Sequence, residues 1–146
     1  MVKRIQIDRV EPSAYKGMFT LEQYLQESEL SNTHKNLIKI RASQLNSCAF
    51  CINMHTKEAL TNGEKPQRIF LLNAWKESGL FTNEEKIILQ LTEEITLIHT
   101  HGLTDNTYQK AIQYFGENYL AQIIMAVTII NAWNRISVST HKPVEG

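Results

Sequence analysis

Two cysteines are the only thiols of the chain, and they stand three residues apart in Ser47-Cys-Ala-Phe-Cys-Ile-Asn-Met-His55, with a histidine four residues beyond the second. If this stretch is helical, Cys48, Cys51 and His55 recur at three- and four-residue intervals and share one face. Two α-carbons three residues apart on a helix lie roughly 5 Å from each other, within the range a disulfide accepts. The pair is therefore able to cycle between dithiol and disulfide. An imidazole one turn beyond Cys51 favours its thiolate by accepting the proton or pairing with the anion. Cys48, nearer the helix start, gains instead from free amides and the helix dipole, an effect of about 1 kcal/mol or less. These local effects leave both cysteines as candidates, with the histidine tilting the choice toward Cys51.

Two other chemistries fit the same residues. Cys48, Cys51 and His55 would supply three ligands of a zinc site, but the remaining close pair, His99 and His101, lies far along the chain at a spacing unlike that of a structural site and is expected to flank a helix end. Alternatively, the cysteines are two small buried side chains.

The elements that must position this motif read as helices. Proline occurs only at 12, 66 and 143 and glycine six times, and no alternating strand pattern or repeat is present. Leu21, Tyr24 and Leu25 set a helix over 20–29, and Leu37, Ile38, Ala42 and Leu45 another over 32–45. Asn46 is expected to close that helix in a left-handed conformation and Ser47 to cap the next, which runs to Asn62-Gly63. Lys65-Pro66 opens a helix that turns Ile69, Leu72 and Ala74 or Trp75 inward and ends near Gly79. Thr82 and Glu85 form a capping box with Phe81 as staple, followed by Ile87, Ile88, Leu91, Ile95 and Ile98 up to Gly102. Thr104-Asp105 starts a helix through Phe115, and Gly116 separates it from a long apolar helix over 119–138. The expectation is a single all-α domain, residues 1–146, of about seven helices, with 1–14 unassigned.

Fifteen basic and fifteen acidic residues cancel, so no broad field favours nucleic acid or an anionic membrane, and small molecules or other protein chains are the expected partners. The first fifteen residues lack the uninterrupted apolar run of a secretory signal, and no segment is apolar for long enough to span a bilayer. A cytoplasmic location follows as an expectation. In that reducing compartment a close cysteine pair points to catalysis or metal binding rather than a permanent staple.

The stretch IKIRASQLNSCAFCINMHTKEAL resembles the signature of the carboxymuconolactone decarboxylase family in its AhpD-like alkylhydroperoxidase branch. Similarity continues through LLNAWKESGLF and IINAWNRISV, and so spans most of residues 15–140. The resemblance implies an all-helical AhpD-like fold, a homo-oligomer, and a thiol peroxidase needing no metal or flavin. It also implies roles: Cys51 attacks a hydroperoxide, Cys48 resolves the sulfenic acid to a disulfide, and His55 belongs to a proton relay. An external dithiol, of thioredoxin-like or lipoyl type, would restore the pair. The decarboxylases that give the family its name lack the CxxC pair. The alternatives are a redox-sensing or assembly module without turnover, and a dithiol–disulfide oxidoreductase acting on proteins.

Two positions depart from the branch. Asn36 stands where a relay glutamate is usual, and an amide cannot take the proton. Phe50 replaces a second histidine found before the second cysteine and is expected in the core or a pocket wall. Glu58, three residues past His55, is a candidate to orient it or a solvated carboxylate. Trp75, Trp133 and the methionines are expected in the core, and Arg41 and Arg135 either face a pocket or satisfy helix ends and neighbouring chains.

Overall fold

The computed structural model describes residues 1–146 and is helical throughout, with no strand. Nine α-helices follow in order: α1 (Ile7–Val10), α2 (Pro12–Glu27), α3 (Asn32–Leu45), α4 (Ala49–Thr61), α5 (Pro66–Phe70), α6 (Trp75–Ser78), α7 (Asn83–Thr96), α8 (Ile98–His101) and α9 (Asp105–Ser139), with one 3-10 turn at Leu72–Ala74 between α5 and α6.

Apolar patterning explains the assembly. Helix α3 is apolar on two sides, so it lies between two groups of buried side chains. Ile38 and Ala42 join Leu25 of α2, Ile88 and Leu91 of α7, and Leu120, Ile123, Val127 and Ile130 of α9. Leu37 and Ile40 join Ala59 of α4, Ile69, Leu72, Trp75, Phe81 and Leu89 of α7. Burial of each large aliphatic side chain contributes about 1.5–3 kcal/mol, so α3 is held from both sides and gives α4 a fixed support.

Several element ends differ from the sequence expectation. Helix α2 begins at Pro12, whose fixed φ and missing N–H suit a first helical turn; Leu21 and Tyr24 are exposed, while Leu25 and Tyr15 are buried. The segment 66–78 is broken rather than one helix. Its buried residues Ile69, Leu72 and Trp75 are spaced by threes, which aligns them on a 3-10 turn but not on a 3.6-residue helix. The helix from Asn83 breaks at Leu97 (φ −94°, ψ 41°), leaving Ile98 60% exposed. These breaks, with α1, raise the count above seven.

Other signals hold. Thr82 Oγ1 accepts from Glu85 N at 3.1 Å and Glu85 Oε2 accepts from Thr82 N at 2.9 Å, forming the capping box. Gly116 (φ 76°, ψ 174°) interrupts α9.

Candidate functional site

The turn from α3 to α4 sets the cysteines. Asn46 keeps φ −86°, ψ 0° and caps α3; the left-handed residue is Ser47, at φ 52°. Cys48 N donates to Ser43 O at 2.9 Å and Ser47 N to Gln44 O at 3.1 Å, the paired bonds of a Schellman motif. The expected cap therefore moves by one residue. Cys48, not Ser47, is the N-cap of α4, and its Sγ accepts from Cys51 N at 3.4 Å. Left-handed geometry is taken by a serine because the chain must reverse within two residues to bring Cys48 to the start of α4.

A buried amide network braces this turn from the far end of the chain. Asn134 Nδ2 donates to Ser43 Oγ at 3.0 Å, and Asn46 Nδ2 donates to Asn131 Oδ1 and Asn134 Oδ1, both at 2.9 Å. Asn131 Nδ2 in turn donates to Thr96 Oγ1 at 3.0 Å. Asn134 is 1% exposed, so its bond to Ser43 is shielded from water and costly to lose.

Cys48 and Cys51 form a disulfide with α-carbons 5.3 Å apart. Both cysteines are 1% exposed, but they stand differently to the neighbouring cavity. Cys51 lines a pocket of about 350 Å3, whereas Cys48 does not. His55 and Glu58 of α4 lie in the same wall, and α2 contributes Tyr15, Phe19, Glu22 and Gln26, α3 Lys39, and α9 with its tail Trp133, Ser137 and Lys142. Phe50 and Met54 complete an apolar surface beside the sulfur.

His55 is buried, and its Nδ1 lies 3.1 Å from Glu58 Oε2. That hydrogen bond is the main reason the Glu58 carboxyl sits below the usual carboxylate range; burial opposes it, and Lys39 and Lys35 reinforce it. Bonding at Nδ1 orients the ring and leaves Nε2 as its other proton-handling atom. Lys39 Nζ lies 3.8 Å from Glu22 Oε2, and Glu22 Oε1 accepts from Trp133 Nε1 at 3.0 Å.

Cys51, Cys48 and His55 are thus brought together with Glu58. Asn36 is not part of this pocket: it is buried and lines a polar cleft with Glu64, Arg68 and Glu85. Arg41 donates to Glu93 and Gln44 and faces a separate groove, and Arg135 donates to Asn131. Trp75 is core, but Trp133 and Met54 are pocket wall. His99 and His101 form part of the exposed α8, and no three His, Cys, Asp or Glu side chains converge as a metal-binding group. Tyr15, Phe19, Glu22, Lys39 and Lys142 carry no local motif. Their place depends on contacts from distant parts of the chain.

The fold recurs in known proteins. The crystal structure of a protein of unknown function from Agrobacterium tumefaciens, described as a candidate antioxidant defence protein AhpD, superposes with a TM-score of 0.96 at 34% identity, covering 99% of both chains. The fold is therefore AhpD-like. A peroxidase-related protein from Silicibacter shares the fold at 16% identity and TM-score 0.80, over 90% of this chain and 70% of that one. The uncharacterised protein YdfG of Bacillus subtilis is 40% identical over 139 residues, 95% of each chain. No helix of the chain is long and apolar enough to cross a membrane. Residues 12–94 match the model of the carboxymuconolactone decarboxylase family, and the chain belongs to that family.

Proposed function

We propose that the protein is a thiol-dependent peroxidase that reduces hydroperoxides through Cys51 and Cys48, residues 1–146 acting as one domain. The observation that carries this reading is the asymmetry of the disulfide: Cys51 lines the pocket that holds His55, and Cys48 does not. In the reduced protein the Cys51 thiolate attacks the distal oxygen of the hydroperoxide. An S–O bond forms, the O–O bond breaks, and the leaving alkoxide takes a proton to become an alcohol. His55, oriented by Glu58, is the group placed to move that proton. Cys48 then attacks the Cys51 sulfenic acid, releasing water and forming the disulfide. An external dithiol reduces the disulfide and is itself oxidised.

Glu58 supplies the carboxylate partner of the histidine, so the reading does not depend on Asn36. Cys51 is 1% exposed, which supports a slender dithiol arm of lipoyl type as reductant over a flat protein surface. Phe70, 77% exposed beside a groove also lined by Ile52 and Ile69, supports assembly with further copies of the chain, and sedimentation velocity measures it.

Steady-state consumption of an organic hydroperoxide by wild type, Cys51→Ser and His55→Ala tests the proposal. Turnover should vanish in the first variant and fall by about 100-fold or more in the second; equal rates in all three would refute it. A sensor or assembly module would instead oxidise once and show no multiple turnover with dithiols.

A further inference from the structure

Among the charged groups lining the pocket, all but one are committed to a partner. Lys39 and Glu22 face each other at 3.8 Å, and Glu58 holds His55. Lys142 has no carboxylate within salt-bridge distance. Its Nζ reaches only the Tyr15 hydroxyl at 3.4 Å and lies over the rings of Phe50 at 4.7 Å and Tyr15 at 5.5 Å. A half-buried cation against aromatic faces, with no counter-ion, has unused capacity for an anion.

The backbone that carries this cation is fixed. His141 takes φ 48°, and Lys142 N donates to Ser137 O at 3.0 Å while His141 N donates to Val138 O at 3.3 Å, so a Schellman motif ends α9 and turns Lys142 back over the pocket. The N-terminal segment holds the same turn: Gln6 Nε2 donates to Thr140 O at 3.1 Å and Arg4 Nη1 to Ser139 O at 2.8 Å. A charge held in place this way needs little ordering when a ligand arrives.

On the reading of this pocket as the hydroperoxide site, we infer that Lys142 determines specificity by receiving the carboxylate of the substrate. The substrate class is a hydroperoxide with an apolar body of aryl size, lodged between Phe50, Met54 and Trp133, and a carboxylate at the end away from the peroxide. Phe50, on which the lysine rests, is next to Cys51 in the chain, so the cation and the sulfur border the same apolar wall. The cavity of about 350 Å3 suits one substituted ring and not a long folded chain.

The test separates binding from turnover. Isothermal titration of the oxidised protein compares para-isopropylbenzoate with the neutral para-isopropylbenzamide. Wild type should prefer the anion by about tenfold, Lys142→Met should bring the ratio near unity, and Lys142→Arg should keep most of it. A wild-type preference below about twofold, or a preference that survives Lys142→Met, overturns the inference. In turnover, the kcat/KM ratio of para-carboxycumene hydroperoxide to cumene hydroperoxide should fall by the same factor in Lys142→Met. If wild type consumes neither hydroperoxide, the peroxidase reading fails, while the titration still decides what Lys142 binds.

Discussion

Replacing Asn134 with alanine removes the brace between α9 and the cysteine turn without touching the pocket. Two hydrogen bonds are lost, a buried one to Ser43 Oγ and a part-buried one from Asn46 Nδ2. Neither partner is left wholly unpaired, since Ser43 Oγ still donates to Lys39 O at 2.6 Å and Asn46 Nδ2 still donates to Asn131 Oδ1 at 2.9 Å. The cost is therefore about 1 kcal/mol for each bond and a further fraction for the space vacated, roughly 2–3 kcal/mol in total. Urea unfolding at neutral pH reads this directly. Asn134→Leu separates the two contributions by filling the space with an apolar group. Ser43 O also accepts from Cys48 N, so loosening the brace should speed hydrogen exchange at the Cys48 amide by about tenfold or more. A stability loss below about 0.5 kcal/mol would refute the network's worth. Lost stability with unchanged exchange at Cys48 would show that it supports the helices and not the turn.

Glu94 accepts from Thr104 N, Thr104 Oγ1, Thr107 Oγ1 and Gln90 Nε2; burial raises its pKa, but these bonds outweigh burial and hold it at about 2. A depressed carboxylate pKa stabilises the fold above its ordinary value of 4.5 and loses that contribution as pH falls from there toward about 2. Glu94→Gln should accordingly cost about 2–3 kcal/mol at pH 7, with a smaller difference from wild type at pH 3; urea midpoints at the two pH values measure it, and a constant difference would contradict it. Glu58→Gln replaces a carboxylate on His55 Nδ1 with a neutral amide and should lower kcat/KM for peroxide about tenfold with folding intact; an unchanged rate removes Glu58 from the relay. Ser47→Gly relieves a left-handed serine and should raise stability by about 0.5–1 kcal/mol, whereas Ser47→Val should lower it by more than about 1 kcal/mol, both read by thermal melts.

Features written in neighbouring residues are legible in the sequence. The capping box at Thr82–Glu85 and the break at Gly116 depend on contacts within one or two turns, and each is present; Cys51 and His55 share a pocket wall, while Cys48 caps α4 and lies outside that wall. The cap shifted from Ser47 to Cys48 because serine is the usual cap and cysteine is not, while the Schellman bonds that decide the matter depend on where α4 must start. The break inside 66–78 was visible in principle in the three-residue spacing of Ile69, Leu72 and Trp75. Pocket residues such as Glu22 and Lys142 were not legible at all. Trp133 meets Glu22 across 111 positions and Lys142 meets Tyr15 across 127, and no local pattern encodes such pairs. Glu58 falls between: its spacing from His55 is local, but the turn of its carboxylate onto the ring belongs to the folded pocket.

Peroxidatic chemistry at Cys51 is tested most directly by treating reduced protein with one equivalent of hydroperoxide in the presence of dimedone, followed by mass spectrometry of the peptide that contains both cysteines. Wild type should yield the internal Cys48–Cys51 disulfide, and Cys48→Ser should yield a dimedone adduct on Cys51. An unmodified dithiol in wild type, or an adduct that forms on Cys48 just as readily in Cys51→Ser, would contradict the assignment.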